Sequence, residues 1–384
     1  MKILHVSPSY FPALQFGGPI QSVHLLNKTL VKNGVEVDVF TTNAGLDSRN
    51  FSAKKWAYLD GVRVKYYSFW GYIHYNFSVS ILIALFRNIR KYDVVHITAV
   101  WNFPVWAASF ACQWHKIPYI ISPRGTIYPE TIAIKSSTFK KIYYQFVAKN
   151  CLEKASCIHF TALDEEIKVK TYLKLKTNSV VIANGIDLAD YITNNAIENT
   201  KTHKPYILFL GRINYKKGLD ILYNAFAEIR GFGIDLQLVI VGPDSDNYKS
   251  TLDKLAKSLS ISEHIIYKGQ MEGEAKIDMY KNAFCFVLSS YSENFGMSVV
   301  EAMASGCPVV ISDKVGIFED VLANEAGVVT KTDYQEVAKA IMELQNNISL
   351  KNKITKNGLQ MVEKLYSIQG ISLTFIDLYE TLAQ

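Results

Sequence analysis

Short apolar, β-branched runs recur along this chain, and longer stretches with apolar residues every three or four positions lie between them. In the first half the runs Ile3–Ser7, Val35–Thr41, Val62–Tyr67, Val94–Thr98, Tyr119–Ser122, Cys157–Phe160 and Val180–Ile182 predict strands. They are mostly apolar throughout rather than alternating, as strands buried on both faces of a parallel sheet require. Helical patterns fall between them at Ile20–Asn33, Ser78–Lys91 and Phe139–Ala155. From Asp187 to Pro205 the chain is polar, rich in Asn and Thr and aperiodic, which reads as a linker. A second alternating set follows, with strands at Tyr206–Leu210, Gln237–Val241, Ile265–Tyr267, Phe284–Leu288, Val309–Ile311 and Gly327–Val329. Its helices include Gly218–Glu228, Tyr248–Leu259, Gly273–Lys281 and Ser298–Ser305. The simplest architecture is α/β, with two Rossmann-like doubly wound domains facing a central cleft. The expected division is 1–190, a linker over 191–204, and 205–367. A last helix, about 368–384 with its clearest pattern from Ile371 to Ala383, has no strand partner and is expected to cross back onto the first domain.

Size supports two domains, since 384 residues exceed one comfortable core. A hydrophobic content of 49% and a mean hydropathy of +0.07 exclude wholesale disorder. No apolar run is long enough to span a bilayer, and Pro8 interrupts the opening Met-Lys-Ile-Leu-His-Val, so the start reads as a strand rather than a signal peptide. Five cysteines, an odd number without metal spacing, read as reduced, mostly buried thiols in a cytoplasmic protein. The net charge of +6 is uneven. Residues 1–190 hold 22 Lys and Arg against 12 Asp and Glu, while residues 191–384 hold 19 against 23. A basic first half implies an anionic partner, unless it is simply a solvated face. No nucleic-acid motif accompanies it, so an anionic membrane surface is the better fit.

The candidate chemistry sits in the turns after strands. After the run ending at Leu288 the chain reads Ser-Ser-Tyr-Ser-Glu-Asn-Phe-Gly-Met and resumes as a helix. Glu293 lies in that loop, and Glu301 lies about two turns into the helix. Carboxylates at the carboxyl ends of parallel strands stand where open α/β sheets bind ligands, here one rich in hydroxyls and phosphates. A catalytic pair of the glycoside-hydrolase kind is an alternative, but these two residues are placed to contact different parts of one ligand. After Leu210 comes Gly211-Arg212-Ile-Asn-Tyr-Lys-Lys217-Gly218. Gly211 lets backbone approach a ligand, Arg212 offers a fork of donors, Lys217 a point charge, and Gly218 opens the next helix. That is the chemistry of a diphosphate site. In the first half, Gly17-Gly18 precedes a helix that Pro19 starts well, without the G-x-G-x-x-G spacing of a dinucleotide site. Arg124, within Ser-Pro-Arg-Gly, and His96 and Asn102 also follow strands. Asp244-Ser-Asp246 has the form of a metal-holding pair or of an ordinary surface turn, and the turn is the preferred reading.

Taken together these motifs resemble the retaining glycosyltransferases of the family 4 type, with the GT-B fold, and the Ser122-Pro-Arg-Gly125 form resembles their bacterial surface-polysaccharide members. The resemblance rests on Gly211-Arg212 through Lys217-Gly218, on Glu293 through Glu301 with its Glu-Ala-Met-Ala-Ser-Gly-Cys-Pro-Val extension, and on Asn184-Gly-Ile-Asp187. It implies a nucleoside-diphosphate sugar as donor, a carbohydrate or lipid-linked oligosaccharide as acceptor, no cofactor and no metal. It assigns catalysis to Glu293, Arg212 and Lys217, with Glu293 at the donor sugar. Donor binding falls to Glu301 at the ribose, to Phe295, Gly296, Met297 and Gly211, to Gly269, Gln270 and Met271 flanking the base, and to Gly17 and Gly18. Arg124, His96 and Asn102 become acceptor-side candidates, and the first domain the acceptor-side one. It further implies a cytoplasmic protein, peripheral at the inner face of the membrane. Two features depart from the family: Asn294 stands where a glycine is common, a place where Asn tolerates a left-handed backbone, and Arg124 stands near where many members carry a histidine. A sugar-nucleotide epimerase on the same fold and a non-catalytic nucleotide-sugar-binding subunit remain as alternatives.

Overall fold

The computed structural model describes residues 1–53, 55–129, 132, 138–191 and 204–384. The chain divides into two compact units, one formed by Met1–Gly185 with Ile368–Gln384 and the other by Ile186–Ser367. Most of the linker expected at 191–204 lies outside the described residues.

The first unit is built on β1 (Lys2–Val6), β2 (Glu36–Thr42), β3 (Ala57–Leu59), β4 (Val62–Tyr67), β5 (Val94–Thr98), β6 (Tyr119–Ser122), β7 (Cys157–Phe160) and β8 (Ser179–Val181). Their order in the sheet is β3-β4-β2-β1-β5-β6-β7-β8, parallel except for β3 against β4. Alternate strand residues feed two cores, because successive side chains leave opposite faces. Leu4, Val6, Val95 and Ile97 pack with Leu85 of α2 (Val79–Asn88) and Val105 and Ala108 of α3 (Phe103–His115). Ile3 and Val94 pack with Val23 and Leu26 of α1 (Gly18–Lys32) and with Phe375 and Tyr379 of the last helix, Ile368–Ala383. Local signals set several of these boundaries. Pro19 occupies the first turn of α1, and the Ser78 hydroxyl accepts the Ile81 N–H at 3.3 Å to cap α2.

The second unit contains β9 (Tyr206–Leu210), β10 (Gln237–Val241), β11 (Ile265–Tyr267), β12 (Cys285–Leu288), β13 (Val309–Ser312) and β14 (Val328–Thr330) in the order β11-β10-β9-β12-β13-β14, all parallel. Helices Leu219–Gly231, Met297–Ala304, Tyr334–Asn346 and Ile348–Leu365 cover it. In each unit the strand order reverses once, between β1 and β5 and between β9 and β12. Those switch points are where doubly wound sheets leave a crevice at their carboxyl ends. All five cysteines are buried and unpaired. Among the described residues no helix is long and apolar enough to cross a membrane.

Candidate active site

The loops that follow β9 and β12 flank the switch point of the second unit, and they are laced together. Gly218 adopts φ +63°, and a Cβ there would stand 1.9 Å from the Ser289 carbonyl oxygen, so only glycine lets the two backbones meet. Ser289 Oγ donates to the Gly218 carbonyl at 2.7 Å, and the Tyr291 N–H donates to the Lys216 carbonyl at 2.8 Å. Asn214 caps the short 3-10 turn Tyr215–Lys217 by accepting the Lys216 N–H at 2.8 Å. This lacing brings Lys217 Nζ onto the Glu293 carboxylate, each side chain about one-fifth exposed.

Glu293 is pinned by its backbone as well. Its N–H donates to the Lys314 carbonyl at 3.0 Å, and its own carbonyl accepts the Gly316 N–H at 2.9 Å. The left-handed residue of this turn is Gly296, at φ +93°, and not Asn294, which has no positive φ. Asparagine at 294 therefore costs no left-handed strain, and the departure from glycine is explained more simply than by tolerance of a left-handed backbone. Phe295 is buried against Tyr366 with ring centroids 5.5 Å apart, so only its backbone is available to a ligand. Gly296 precedes the helix Met297–Ala304, in which Glu301 is the fifth residue and so lies about one turn in rather than two.

Glu301 has partners that the sequence did not single out. Its Oε1 accepts from Lys276 Nζ at 2.8 Å and its Oε2 from the Tyr280 hydroxyl at 3.0 Å. Tyr191 also faces it, and burial together with the Glu301 charge holds the Tyr191 phenol well above its usual value. Arg212 is exposed and makes no hydrogen bond or ion pair among the described residues, leaving its whole fork available. Gly211 stays on the β9 edge, where its N–H donates to the Val241 carbonyl at 2.9 Å. Gly269 and Gln270, in the exposed loop after β11, and the part-buried Met271 stand on the far side of β10. Gln270 donates to Glu272 there at 2.8 Å.

Asp244 and Asp246 serve the turn. Asp244 accepts the Tyr248 and Lys249 N–H groups at 2.9 and 3.2 Å, and Asp246 accepts from the Asn214 amide. Both carboxylates are thus engaged by protein donors, and the Asp246 contact steadies the same turn that carries Arg212 and Lys217.

In the first unit, Gly17 (φ +98°) and Gly18 open α1 directly after the β1 loop. Arg124 follows β6 with φ +50° and donates to Asn184 Oδ1 at 2.6 Å and to Ser22 Oγ at 3.2 Å. Burial pulls its guanidinium down to about 10, against the raising effect of the Glu165 carboxylate. Glu165 itself accepts the Gly125 N–H at 2.5 Å and the Thr161 N–H and hydroxyl at 3.0 Å, so it fixes the Pro-Arg-Gly turn. Asn102 donates to the His74 carbonyl at the start of α3.

His96 is a correction. It is fully buried in β5, stacked on His5 at 4.5 Å, with its ring nitrogens engaged by Tyr379 (2.7 Å) and Ser122 (2.6 Å). Nothing of it reaches a surface where an acceptor would bind. The signal that would have found this is the register of β1 against β5, which pairs His5 with His96 and is invisible in either strand alone.

Two family models match consecutive stretches of the chain: "Glycosyltransferase Family 4" over residues 16–190 and "Glycosyl transferases group 1" over residues 190–361. The chain is 25% identical to an uncharacterized glycosyltransferase of Methanocaldococcus jannaschii, across 99% of this chain and 98% of that one. It is 24% identical to O-antigen chain mannosyltransferase C of Escherichia coli, across 100% and 99%. Among solved structures, HepE of Anabaena in complex with UDP-glucose superposes with a TM-score of 0.76 at 17% identity, covering 99% of this chain and 100% of that one. The laced loops at the switch point carry the residues by which the sequence resembled this family, and the chain belongs to the glycosyltransferases of the family 4 type, built on the GT-B fold.

Proposed function

We propose that this protein transfers a sugar from a nucleoside-diphosphate sugar to a hydroxyl of a lipid-linked oligosaccharide, with retention at the anomeric carbon, in the assembly of a bacterial surface polysaccharide. One observation carries this reading most: the backbone lacing of the β9 and β12 loops sets Lys217 against Glu293 beside the unpaired Arg212. Those are the groups needed at the reacting end of such a donor. Arg212 and Lys217 neutralise the negative charge that grows on the departing diphosphate, and fixed charges of this kind are the largest single contribution in many transfer reactions. Glu293 positions the donor sugar. The acceptor hydroxyl attacks from the face that the diphosphate leaves, which gives retention, and no metal enters the scheme. Glu301 holds the ribose. The relatives support a polysaccharide setting, since they include O-antigen mannosyltransferases and a capsular polysaccharide glycosyltransferase. HepE supports a nucleotide-sugar donor through its bound UDP-glucose.

A lipid-linked acceptor requires access to a membrane surface, and the first unit offers a suitable one. Trp106 stacks on Phe110 of α3 and Phe86 of α2 lies tilted against the same ring, with centroids 5.6 Å apart in both contacts. Beside them Ile83, Phe110 and Trp114 are exposed, Trp114 at 68%. Arg87, Arg90, Lys91 and Lys116 surround this apolar edge, and from Gly61 to Pro129 the sole acidic residue is Asp93. Aromatic residues ringed by cations and almost free of carboxylates suit the interface of an anionic bilayer.

The test is product analysis. The purified chain is incubated with UDP- and GDP-sugars, with and without lipid-linked oligosaccharide acceptors, and the products are identified by mass spectrometry and the new anomeric centre by NMR. A glycosylated acceptor whose anomeric configuration matches the donor is expected. A new sugar nucleotide formed without acceptor identifies an epimerase instead, and an inverted linkage refutes retention.

A further inference from the structure

The carboxylate of Glu301 is held by side chains that no motif assigns. Lys276 and Tyr280 lie four residues apart on the helix Gly273–Lys281, so both project from one face of it. Lys276 Nζ reaches Oε1 at 2.8 Å and the Tyr280 hydroxyl reaches Oε2 at 3.0 Å, so each carboxylate oxygen has a donor from this helix, and the Tyr191 hydroxyl approaches the same carboxylate from the end of the preceding segment. That arrangement fixes the rotation of the carboxyl group about its last bond, which a single partner would leave free. The helix itself is fixed, because the buried Tyr280 ring packs edge-on against Phe286 of β12 at 5.7 Å. Burial and the neighbouring Glu301 charge raise the Tyr280 phenol well above its usual value, so its hydroxyl keeps its proton and donates. The Glu301 side chain is 13% exposed and that of Lys276 18%. A cation and a carboxylate so nearly withdrawn from water gain little as a stabilising pair, since desolvation offsets their attraction. The placement of Glu301 one turn into the switch-point helix, with a narrow face open, makes better sense as a prepared acceptor for ligand hydroxyls.

We propose that Lys276 and Tyr280 are positioning residues for the donor. By aiming the Glu301 carboxylate, they set a preference for ribonucleoside over 2′-deoxyribonucleoside diphosphates. This inference rests on the reading of Glu301 as the ribose-holding residue.

The test measures binding of UDP, GDP and their 2′-deoxy counterparts by calorimetry, in the wild type and in Tyr280→Phe, Lys276→Met, Lys276→Arg and Glu301→Gln. The wild type is expected to bind the ribonucleotide about 10-fold tighter, the worth of one charged hydrogen bond. Tyr280→Phe and Lys276→Met should each remove most of that preference, while Lys276→Arg keeps it. Donor KM should rise in the first two variants with kcat nearly unchanged, because the ribose does not react. If Glu301→Gln abolishes the preference but Tyr280→Phe and Lys276→Met retain it, the positioning role is refuted and the ribose reading stands. Equal weakening of ribo- and deoxyribonucleotides in those variants reduces both residues to structural supports and also refutes it. A wild type that shows no preference, or binds neither UDP nor GDP, overturns the ribose reading and this inference with it.

Discussion

Lowering the pH from 7.5 to 5.0 should destabilise the first unit well before its carboxylates titrate. The cause is a chain of buried histidines along the carboxyl ends of β1, β5 and β7. His159 Nε2 donates to the Ile182 carbonyl at 2.7 Å, and a carbonyl can only accept. His159 Nδ1 therefore accepts from Ser122 Oγ at 2.6 Å, Ser122 accepts from His96 Nε2 at 2.6 Å, and His96 Nδ1 accepts from the Tyr379 hydroxyl at 2.7 Å. Every ring in this chain is consistent with the neutral form. Burial pushes His5 and His159 down to about 3 and holds His96 well below its usual value. An unfolded histidine titrates near 6.5. Between those values the unfolded chain binds protons that the native chain refuses, so stability falls as the pH drops through this window and levels off above it. At pH 5.0 the loss is about 2 kcal/mol for each of His5 and His159, from about 1.4 kcal/mol per pH unit below 6.5. Glu165 acts in the opposite sense, since burial raises its carboxyl, but it is one group against three rings. For a unit of this size about 4 kcal/mol corresponds to a fall in Tm on the order of 10 °C. The assay is built into the chain, because all five tryptophans (Trp56, Trp70, Trp101, Trp106 and Trp114) belong to the first unit. Thermal unfolding followed by tryptophan fluorescence at pH 7.5 and 5.0, at equal ionic strength, reads that unit alone. His159→Gln, which keeps a donor and an acceptor but cannot titrate, should lower Tm at pH 7.5 and flatten its pH dependence. A wild-type Tm that changes by less than about 3 °C, or a slope that His159→Gln leaves unaltered, refutes the reasoning.

Four further outcomes are expected. Arg212→Ala and Lys217→Ala should each lower turnover at least about 100-fold with folding intact, as measured by initial rates, since each removes a charge-stabilising donor. Glu293→Gln should lower kcat even at saturating donor, whereas Glu301→Gln should act mainly on donor KM; steady-state kinetics with varied donor separates the two. Activity should survive EDTA, and the metal-free scheme is wrong if EDTA abolishes turnover that magnesium or manganese then restores. The full chain should sediment with phosphatidylglycerol vesicles at low salt and release at high salt, and the double variant Ile83→Ser, Trp114→Ser should bind at least about 10-fold more weakly, each exposed apolar anchor contributing on the order of 1 kcal/mol or more.

What the sequence made legible was whatever depended on local pattern. The runs Val62–Tyr67, Val94–Thr98, Tyr119–Ser122, Cys157–Phe160, Tyr206–Leu210, Gln237–Val241 and Ile265–Tyr267 are strands with those same limits, because most are buried parallel strands with apolar residues throughout, while Val62–Tyr67 alternates Arg63 and Lys65 with buried neighbours. The helix Phe103–His115 was missed because eight of its residues are buried, so it shows little periodicity, and Pro104 near its start reads as a break when it is in fact a first-turn residue. β3 was missed because Ala57-Tyr58-Leu59, three residues at a sheet edge, is too short a run to mark a strand. The helices Tyr334–Asn346 and Ile348–Leu365 follow one another with little between them and were not separated from the surrounding chain. The segment expected as one helix over Phe139–Ala155 is broken by a π turn at Tyr144–Ala148, which no spacing rule announces.

The site divides along the same line. The placement of Glu293, Arg212 and Lys217 in strand-to-helix loops was legible because glycines and charges there are a local signature, and the fold adds that Gly218 and Ser289 press their two loops together. His96 was misread, and Lys276 and Tyr280 were overlooked, because their meaning depends on partners from another strand or helix. The contrast also separates the roles of the two units. Both sheets reverse at a switch point, yet the first fills its own with stacked, neutral His5 and His96 and an Arg124 tied to Asn184 and Ser22. The second lines its own with Lys217, Glu293, Arg212 and Glu301, each with part of its side chain open. Buried neutral rings give a stiff support, whereas half-open charges can exchange one partner for another as a charged ligand arrives. Partly open charged side chains are therefore gathered at the switch point of the second unit, whereas that of the first is filled by buried, partnered rings.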